Sequence, residues 1–332
     1  MGEYRYRAAW WLPGGHLQTL WGKFARWRIE ISTRRELLRA PDGDALELHH
    51  LDGAAGAPHV LLMHGLEGSR NSHYVGGFLD QAARRRWNAT LLVFRGCGDA
   101  ANEARRLYHS GETSDLELVM STLIHRNPSA IRFVAGVSLG GNVLLKWLGE
   151  SGVSTRRVRA AAAVSVPFDL EAGARKISRG ISRIYDWSFL QSLRRKARVK
   201  LAHYPDLFDD ERLARARSVI EFDDAVTAPV HGFASATDYY SRSSSLAFLS
   251  HVRVPTLLLS ALNDPFLPPA VLELARKTAS ENPALSVEFV EGGGHVGFVA
   301  GTTPWRARYY AEWRVFDYFD AAMEQAARTN YD

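Results

Sequence analysis

The sequence is poor in cysteine and has no long apolar runs. Cys97 is the single cysteine among 332 residues, which excludes an internal disulfide framework and a zinc site built on cysteines. No apolar stretch approaches the roughly 18 residues of a spanning helix. Met1 to Trp11 lacks the roughly 7–15-residue apolar core of a signal peptide. Neither H-E-x-x-H nor a Walker loop occurs, so no metal site and no P-loop are expected. The expectation is a cytoplasmic protein without metal or organic cofactor.

What is present is ordinary globular material, 46% hydrophobic and 23% charged, enough apolar content for a sizeable core. The net charge of +5 is local. Between Glu171 and Arg217 twelve bases face six acids, so this one segment carries the basic character.

Short apolar runs bounded by turn residues read as buried strands: His59 to His64, Ala89 to Phe94, Ile131 to Val137, Val158 to Val166, Pro255 to Ser260 and Ser286 to Val290. Helical 3/4 spacing lies between them. Leu116, Val119, Met120, Leu123 and Ile124 follow Ser114, with Glu117 three residues on, a capping-box start. Val143 to Leu148, Val271 to Ala275 and Tyr309 to Met323 mark three more helices. Strand–helix alternation predicts a doubly wound, mostly parallel α/β sheet. The alternation fails between Phe168 and Ser250, which predicts a helical lid inserted over residues 168–250 of a single domain spanning 1–332. Residues 1–30, with Trp10, Trp11, Trp21 and Trp27, are expected to wrap the body, the tryptophans acting as packing anchors.

The sharpest motif is Gly136-Val137-Ser138-Leu139-Gly140, a G-x-S-x-G between an apolar strand and an apolar helix. A nucleophile elbow needs that strand–turn–helix, with small residues where its arms nearly touch. The serine needs a base, and the base an orienting acid. His295 stands in a glycine-rich loop after a predicted strand, and Asp264 follows the strand before it. Asp169 is a reserve acid. His203, His231 and His251 lie in or beside the insertion and read as surface or packing histidines. The Leu139 backbone N–H is the expected first oxyanion donor, and Leu66, in His64-Gly65-Leu66-Glu67-Gly68, the second. Such a donor is typically worth about 3–4 kcal/mol. Two glycine patterns, Gly292-x-Gly294-x-x-Gly297 and Gly96-x-Gly98-x-x-Ala101, match a dinucleotide fingerprint, but neither opens a packed βα unit. No nucleic-acid motif is present.

With these residues in place, the chain resembles the YheT-like branch of the α/β-hydrolases, which includes bacterial hydrolases and eukaryotic embryogenesis-associated hydrolases. The resemblance rests on His16-Leu17-Gln18-Thr19, His64 to Ser69, Arg95-Gly96-Cys97-Gly98, Tyr108 to Glu112, Gly136 to Asn142, Val166 to Leu170, Asp264-Pro265 and Gly293-Gly294-His295. It implies the α/β-hydrolase fold and a serine hydrolase with nucleophile Ser138, acid Asp264 and base His295, acting on short-chain acyl esters or acylglycerols. A thioesterase, amidase or acyltransferase would use the same apparatus, and the fold also serves as a ligand-binding module. Within the insertion, Trp187 and Phe189 are candidate acyl-pocket residues. The basic residues there are candidates for a weak peripheral membrane contact. His16, His109 and Asn142 read as structural hydrogen-bonding residues.

Overall fold

A computed structural model describes residues 5–150 and 153–329. Eight strands form one sheet: β1 (Arg34–Arg39), β2 (Ala45–Leu51), β3 (His59–Met63), β4 (Asn88–Val93), β5 (Arg132–Val137), β6 (Ala160–Val164), β7 (Thr256–Ala261) and β8 (Leu285–Val290). Their spatial order is β1-β2-β4-β3-β5-β6-β7-β8. β2 pairs antiparallel with both β1 and β4, and every other pairing is parallel.

The helices are α1 (Gly14–Phe24), α2 (Val75–Arg84), α3 (Ser114–Arg126), α4 (Leu139–Glu150), α5 (Leu170–Ile177), α6 (Arg183–His203), α7 (Asp210–Arg215), α8 (Val219–Phe222), α9 (Ala228–His231), α10 (Ala236–Ser243), α11 (Pro269–Ser280) and α12 (Tyr310–Thr329). Both faces of the sheet are covered. Phe133, Ala135 and Val137 pack with α2 and α12, while the intervening Val134 packs with α3, α4 and α11. That alternation is the two-residue period of a strand, and burial on both faces is why the strands read as continuous apolar runs.

β3 has β4 on one side and β5 on the other. The chain therefore leaves the ends of β3 and β5 in diverging directions. Such a switch point leaves a crevice at the carboxyl ends of the strands, where ligands bind in open α/β sheets.

The segment between β6 and β7 is helical, from α5 through α10. Its interior is a separate apolar cluster built on Leu190, Leu193, Phe208, Leu213, Phe222 and Val226. The N-terminal segment runs against the 299–312 region. Ala9 N–H donates to Val299 O at 2.9 Å, Trp11 Nε1 donates to Gly301 O at 3.1 Å, and Arg26 forms a buried bidentate pair with Glu312. Residues 1–4 of that segment lie outside the described residues.

Several local readings differ from the structure. The edge hairpin of β1 and β2 was not expected, because Arg34–Arg39 is charged and half-exposed and carries no apolar run. Its turn does have a signal: Asp42-Gly43, with Gly43 at φ +88, is a common hairpin dipeptide. The capping box at Ser114 does not form. Ser114 is already the first helical residue, its N–H and hydroxyl both engage Glu112, and Glu117 instead accepts from Trp147 Nε1 at 2.8 Å. Of the four N-terminal tryptophans, Trp11 and Trp21 pack edge-to-face. Trp10 and Trp27 are 77% and 91% exposed and do not anchor the segment by burial.

Candidate active site

β5 delivers Ser138 at the switch point. Ser138 has φ +53, a left-handed conformation that a non-glycine residue adopts only under constraint. The turn is fixed by its neighbours. Ser138 N–H donates to Val164 O at 2.8 Å. A side chain at Gly136 would collide with the Gly140 carbonyl, and one at Gly140 would put a carbon 2.6 Å from His64 O. Only glycine lets α4 start this close to β5 and β3.

Ser138, His295 and Asp264 meet there. His295 Nε2 lies 2.9 Å from Ser138 Oγ, and His295 Nδ1 lies 2.8 Å from Asp264 Oδ2. The buried carboxylate accepts from Nδ1–H, which leaves Nε2 to accept from the serine hydroxyl. Asp264 Oδ1 accepts from Phe266 N–H at 2.8 Å, and the Phe266 ring stacks on the imidazole with centroids 4.1 Å apart.

The histidine loop is held from outside the sheet. His295 N–H donates to Thr19 Oγ1 at 2.8 Å, Val299 N–H to Gln18 Oε1 at 2.8 Å, and Gly294 N–H to Asn263 Oδ1 at 3.0 Å. Gln18 and Thr19 sit on α1, so the N-terminal segment orients the imidazole through its backbone. Sequence reasoning missed these roles. Gln18 and Thr19 belong to a segment noted only for resemblance, and Phe266 had no periodic or spacing signal.

Leu66 and Leu139 both line the cavity beside Ser138. A carbon built on Gly65 would sit 3.1 Å from the Ser138 Cβ, so the 64–68 loop abuts the serine. Among the described residues neither the Leu66 nor the Leu139 backbone N–H has a hydrogen-bond partner. His64 is built into this loop as a neutral ring. Its Nδ1–H donates to Gly65 O at 2.7 Å, its Nε2 accepts from Phe94 N–H at 3.0 Å, and burial pushes its pKa down to about 4.

Glu67, the residue after Leu66, has φ +53 and is gripped from two sides. Tyr108 OH donates to its Oε1 at 2.7 Å, and Lys196 Nζ of α6 donates to the same oxygen at 2.7 Å. Ser192 Oγ, also on α6, bonds Oε2. The Lys196 ammonium is 3.1 Å from Cys97 Sγ, whose pKa burial pushes up to about 11. The inserted helix is thus tied by hydrogen bonds to the loop that carries Leu66.

Ser138, Leu139, Leu66, Phe266 and His295 open on a cavity of about 670 Å³ between the sheet and the inserted helices. That volume lies within the roughly 300–1,000 Å³ of small-molecule sites. Its roof includes Leu170 and Ile177 of α5, Phe189 and Leu193 of α6 and Phe222 of α8. Phe189 therefore faces the cavity. Trp187 does not line the cavity and is 63% exposed. Two positions along a helix turn a side chain through roughly half a revolution, so Trp187 lies on the face of α6 opposite Phe189.

The other candidates have structural partners. Asp169 caps α5, accepting from Ala172 N–H at 2.9 Å. Asn142 donates to Ser110 O and Ser243 O and accepts from Ser245 N–H, clamping three segments. His16 meets Tyr185 OH at 3.2 Å, and His109 packs on His231. His203 and His251 are exposed. The loop at Gly98 is occupied by Glu47, whose Oε2 accepts from Asp99 and Ala100 N–H. A carboxylate fills the place a phosphate would take. Among the described residues no cluster of three His, Cys, Asp or Glu side chains is placed to hold a metal, and no helix is long and apolar enough to cross a membrane.

Residues 58–302 match the family described as alpha/beta hydrolase fold. "Putative esterase YheT" of Escherichia coli (strain K12) is 36% identical over 314 residues, covering 93% of this chain and 91% of that protein. The chain belongs to the YheT-like α/β-hydrolases. "Phospholipase ABHD3" of Mus musculus is 29% identical, covering 97% of this chain and 79% of that protein. Among solved structures, the Pyrococcus furiosus esterase Pf2001 aligns with a TM-score of 0.54 at 15% identity, covering 80% of this chain and 84% of that one, a likeness of fold. Membership in this family makes the chain a hydrolase whose relatives are named for ester and lipid hydrolysis.

Proposed function

We propose that this YheT-like hydrolase is a serine esterase that cleaves carboxylic esters, short-chain acyl esters or monoacylglycerols, through an acyl-enzyme. The observation that carries this reading is the continuous relay from Asp264 Oδ2 through His295 to Ser138 Oγ, at 2.8 and 2.9 Å, opening on an apolar-roofed cavity. Relatives named as esterase and phospholipase support the substrate class.

In this mechanism His295 Nε2 takes the Ser138 proton as Oγ attacks the ester carbonyl. Asp264 holds the Nδ1–H tautomer and stabilises the imidazolium. The carbonyl oxygen, now negative, accepts from the Leu66 and Leu139 N–H groups. His295 then protonates the leaving alcohol oxygen, and the alcohol departs. Water, deprotonated by His295, attacks the acyl-enzyme carbonyl, the C–Oγ bond breaks, and the proton returns to Ser138. Stacking of Phe266 on one face of the imidazole limits its rotation between the two proton transfers.

The test is a panel of p-nitrophenyl esters of rising chain length, with a monoacylglycerol, a thioester and an amide, run beside a fluorophosphonate probe. Labelling at Ser138 with turnover of the oxygen esters is expected. Labelling without ester turnover, or a clear preference for the thioester or amide, refutes the esterase assignment. No labelling at Ser138 favours a ligand-binding role.

A further inference from the structure

The outward face of α6 is unusual for this molecule. Ile184 and Trp187 are 66% and 63% exposed, and Ile181, in the Gly180–Ser182 turn just before the helix, is 67% exposed. Residues 184, 187, 191, 195 and 198 recur at three- and four-residue steps, so they share one side of the helix. The stripe begins apolar and becomes basic: Ile184 and Trp187, then Gln191, Arg195 and Arg198, all exposed. Lys176, Arg179 and Arg183 flank its apolar end and are exposed as well. Among the described residues none of Lys176, Arg179, Arg183, Arg195 and Arg198 lies within ion-pairing distance of a carboxylate. By contrast, nearby Arg175, Arg212 and Arg215 are each paired with an acid. The opposite side of α6 carries Phe189, Leu193 and Lys196 toward the cavity, and Arg195, at the edge of the stripe, also borders the cavity, whereas Ile184, Trp187, Gln191 and Arg198 do not.

An apolar ridge ringed by unpaired cations fits one kind of surface, an interface with hydrocarbon beneath and negative charge above. We propose that this face, the turn at Gly180–Ser182 and the outer side of α6, docks the protein onto a membrane containing anionic lipid. Ile181, Ile184 and Trp187 enter the headgroup–acyl boundary, and the flanking arginines contact anionic headgroups. A second copy of the chain does not fit this face as well. A symmetric dimer would bring the same unpaired arginines against one another. Docking goes beyond the hydrolytic reading and stands without it. If both hold, the helix that touches the bilayer is also the roof of the cavity, which suits an ester delivered from a lipid phase.

Sedimentation of the full chain with vesicles tests this. Neutral phosphatidylcholine vesicles are compared with the same vesicles carrying phosphatidylglycerol, at low and high salt. The expected result is binding to the anionic vesicles, weakened by salt. The double variant Ile184→Ser/Trp187→Ser should bind anionic vesicles at least tenfold less. The triple variant Arg179→Gln/Arg183→Gln/Arg198→Gln should lose about 100-fold, at roughly fivefold per removed cation. All five side chains are exposed, so both variants should keep the far-UV spectrum and melting temperature of the parent, and these are checked first. The proposal is overturned if the parent binds neither vesicle, if it binds both equally, or if neither variant weakens binding. It is also overturned if the parent is a dimer that the same variants dissociate, because a second copy then covers the face. The vesicle readout does not involve ester turnover, so its failure and the failure of the esterase reading are distinguishable.

Discussion

The sheet body and the inserted helices are stabilised by different means, and each hides titratable groups that burial holds neutral. In the body, β3 to β7 are almost wholly buried and two apolar clusters cover the two faces. Three of its histidines are held neutral. Burial lowers His59 to about 4, His64 to about 4 and His73 to about 3. The insertion has a smaller apolar core and hides carboxyl groups. Asp223 lies in a π-turn, accepting from Thr227 and Tyr240 hydroxyls at 2.6 Å each. Burial raises its pKa to about 6, and burial also raises that of Asp186. The three body histidines therefore cost stability toward acid, and the insertion's Asp223 and Asp186 cost it toward neutrality.

The largest expected effect sharpens the contrast in chemistry. Ser138→Ala should lower kcat by about 10⁴–10⁶ with an unchanged melting temperature, measured on the best ester of the panel. If an insertion variant such as Phe189→Ala matched that loss, the division between a reacting body and a shaping roof would break.

The next concerns acid. Histidines neutral in the folded body become protonated in the unfolded chain below about pH 6.5. The unfolded state then binds more protons, so stability falls as pH drops from 6.5 toward 4. At pH 5 each of His59, His64 and His73 should cost about 2 kcal/mol relative to pH 7. Urea midpoints at pH 7, 6 and 5 measure it, and a flat profile contradicts the neutral buried rings.

Asp223 carries the opposite sign. Its folded pKa is raised, so the unfolded chain loses its proton first as pH climbs from about 4 to 6, and stability is lost over that window. Asp223→Asn should remove about 3 kcal/mol of that pH dependence. The parent's urea midpoint should therefore fall relative to the variant's from pH 4 to pH 7. A constant difference means the carboxyl ionises normally when folded.

The smallest effect tests the seam between the regions. Glu67 joins α6 to the loop bearing Leu66 through Lys196 and Ser192. Lys196→Met and Glu67→Gln should each lower kcat by about 10- to 100-fold with little change in KM, less than the roughly 10²–10³ of losing an oxyanion donor outright. Affinity for a trifluoromethyl ketone should fall in parallel. A change confined to KM would make the grip a matter of packing alone.

The same contrast governs what was legible in advance. β3 to β8 each overlap an apolar run to within a residue, and for β3 to β7 the reason is that a strand buried on both faces is apolar almost throughout. β1 was not legible, since an exposed edge strand is under no such demand, and β2, though buried, carries Glu47, His49 and His50 in place of an apolar run. In the insertion, the break in strand–helix alternation showed where helices lie, but not which side of α6 turns inward. Phe189 and Trp187 are equally apolar, and only packing separates them. The failed capping box at Ser114 has a similar cause: a nearer carboxylate, Glu112, took the hydroxyl.

By itself the sequence determined the alternating core, the strand–turn–helix around Ser138 and the chain order of serine, acid and histidine, because periodicity and glycine placement are local properties. Only the tertiary structure decided that Gln18 and Thr19 hold the histidine loop, that Glu67 ties α6 to the loop beside Ser138, and that Trp187 faces outward. Each of those contacts joins segments far apart in the chain, and residue spacing carries no distance between segments that meet only when the sheet is assembled.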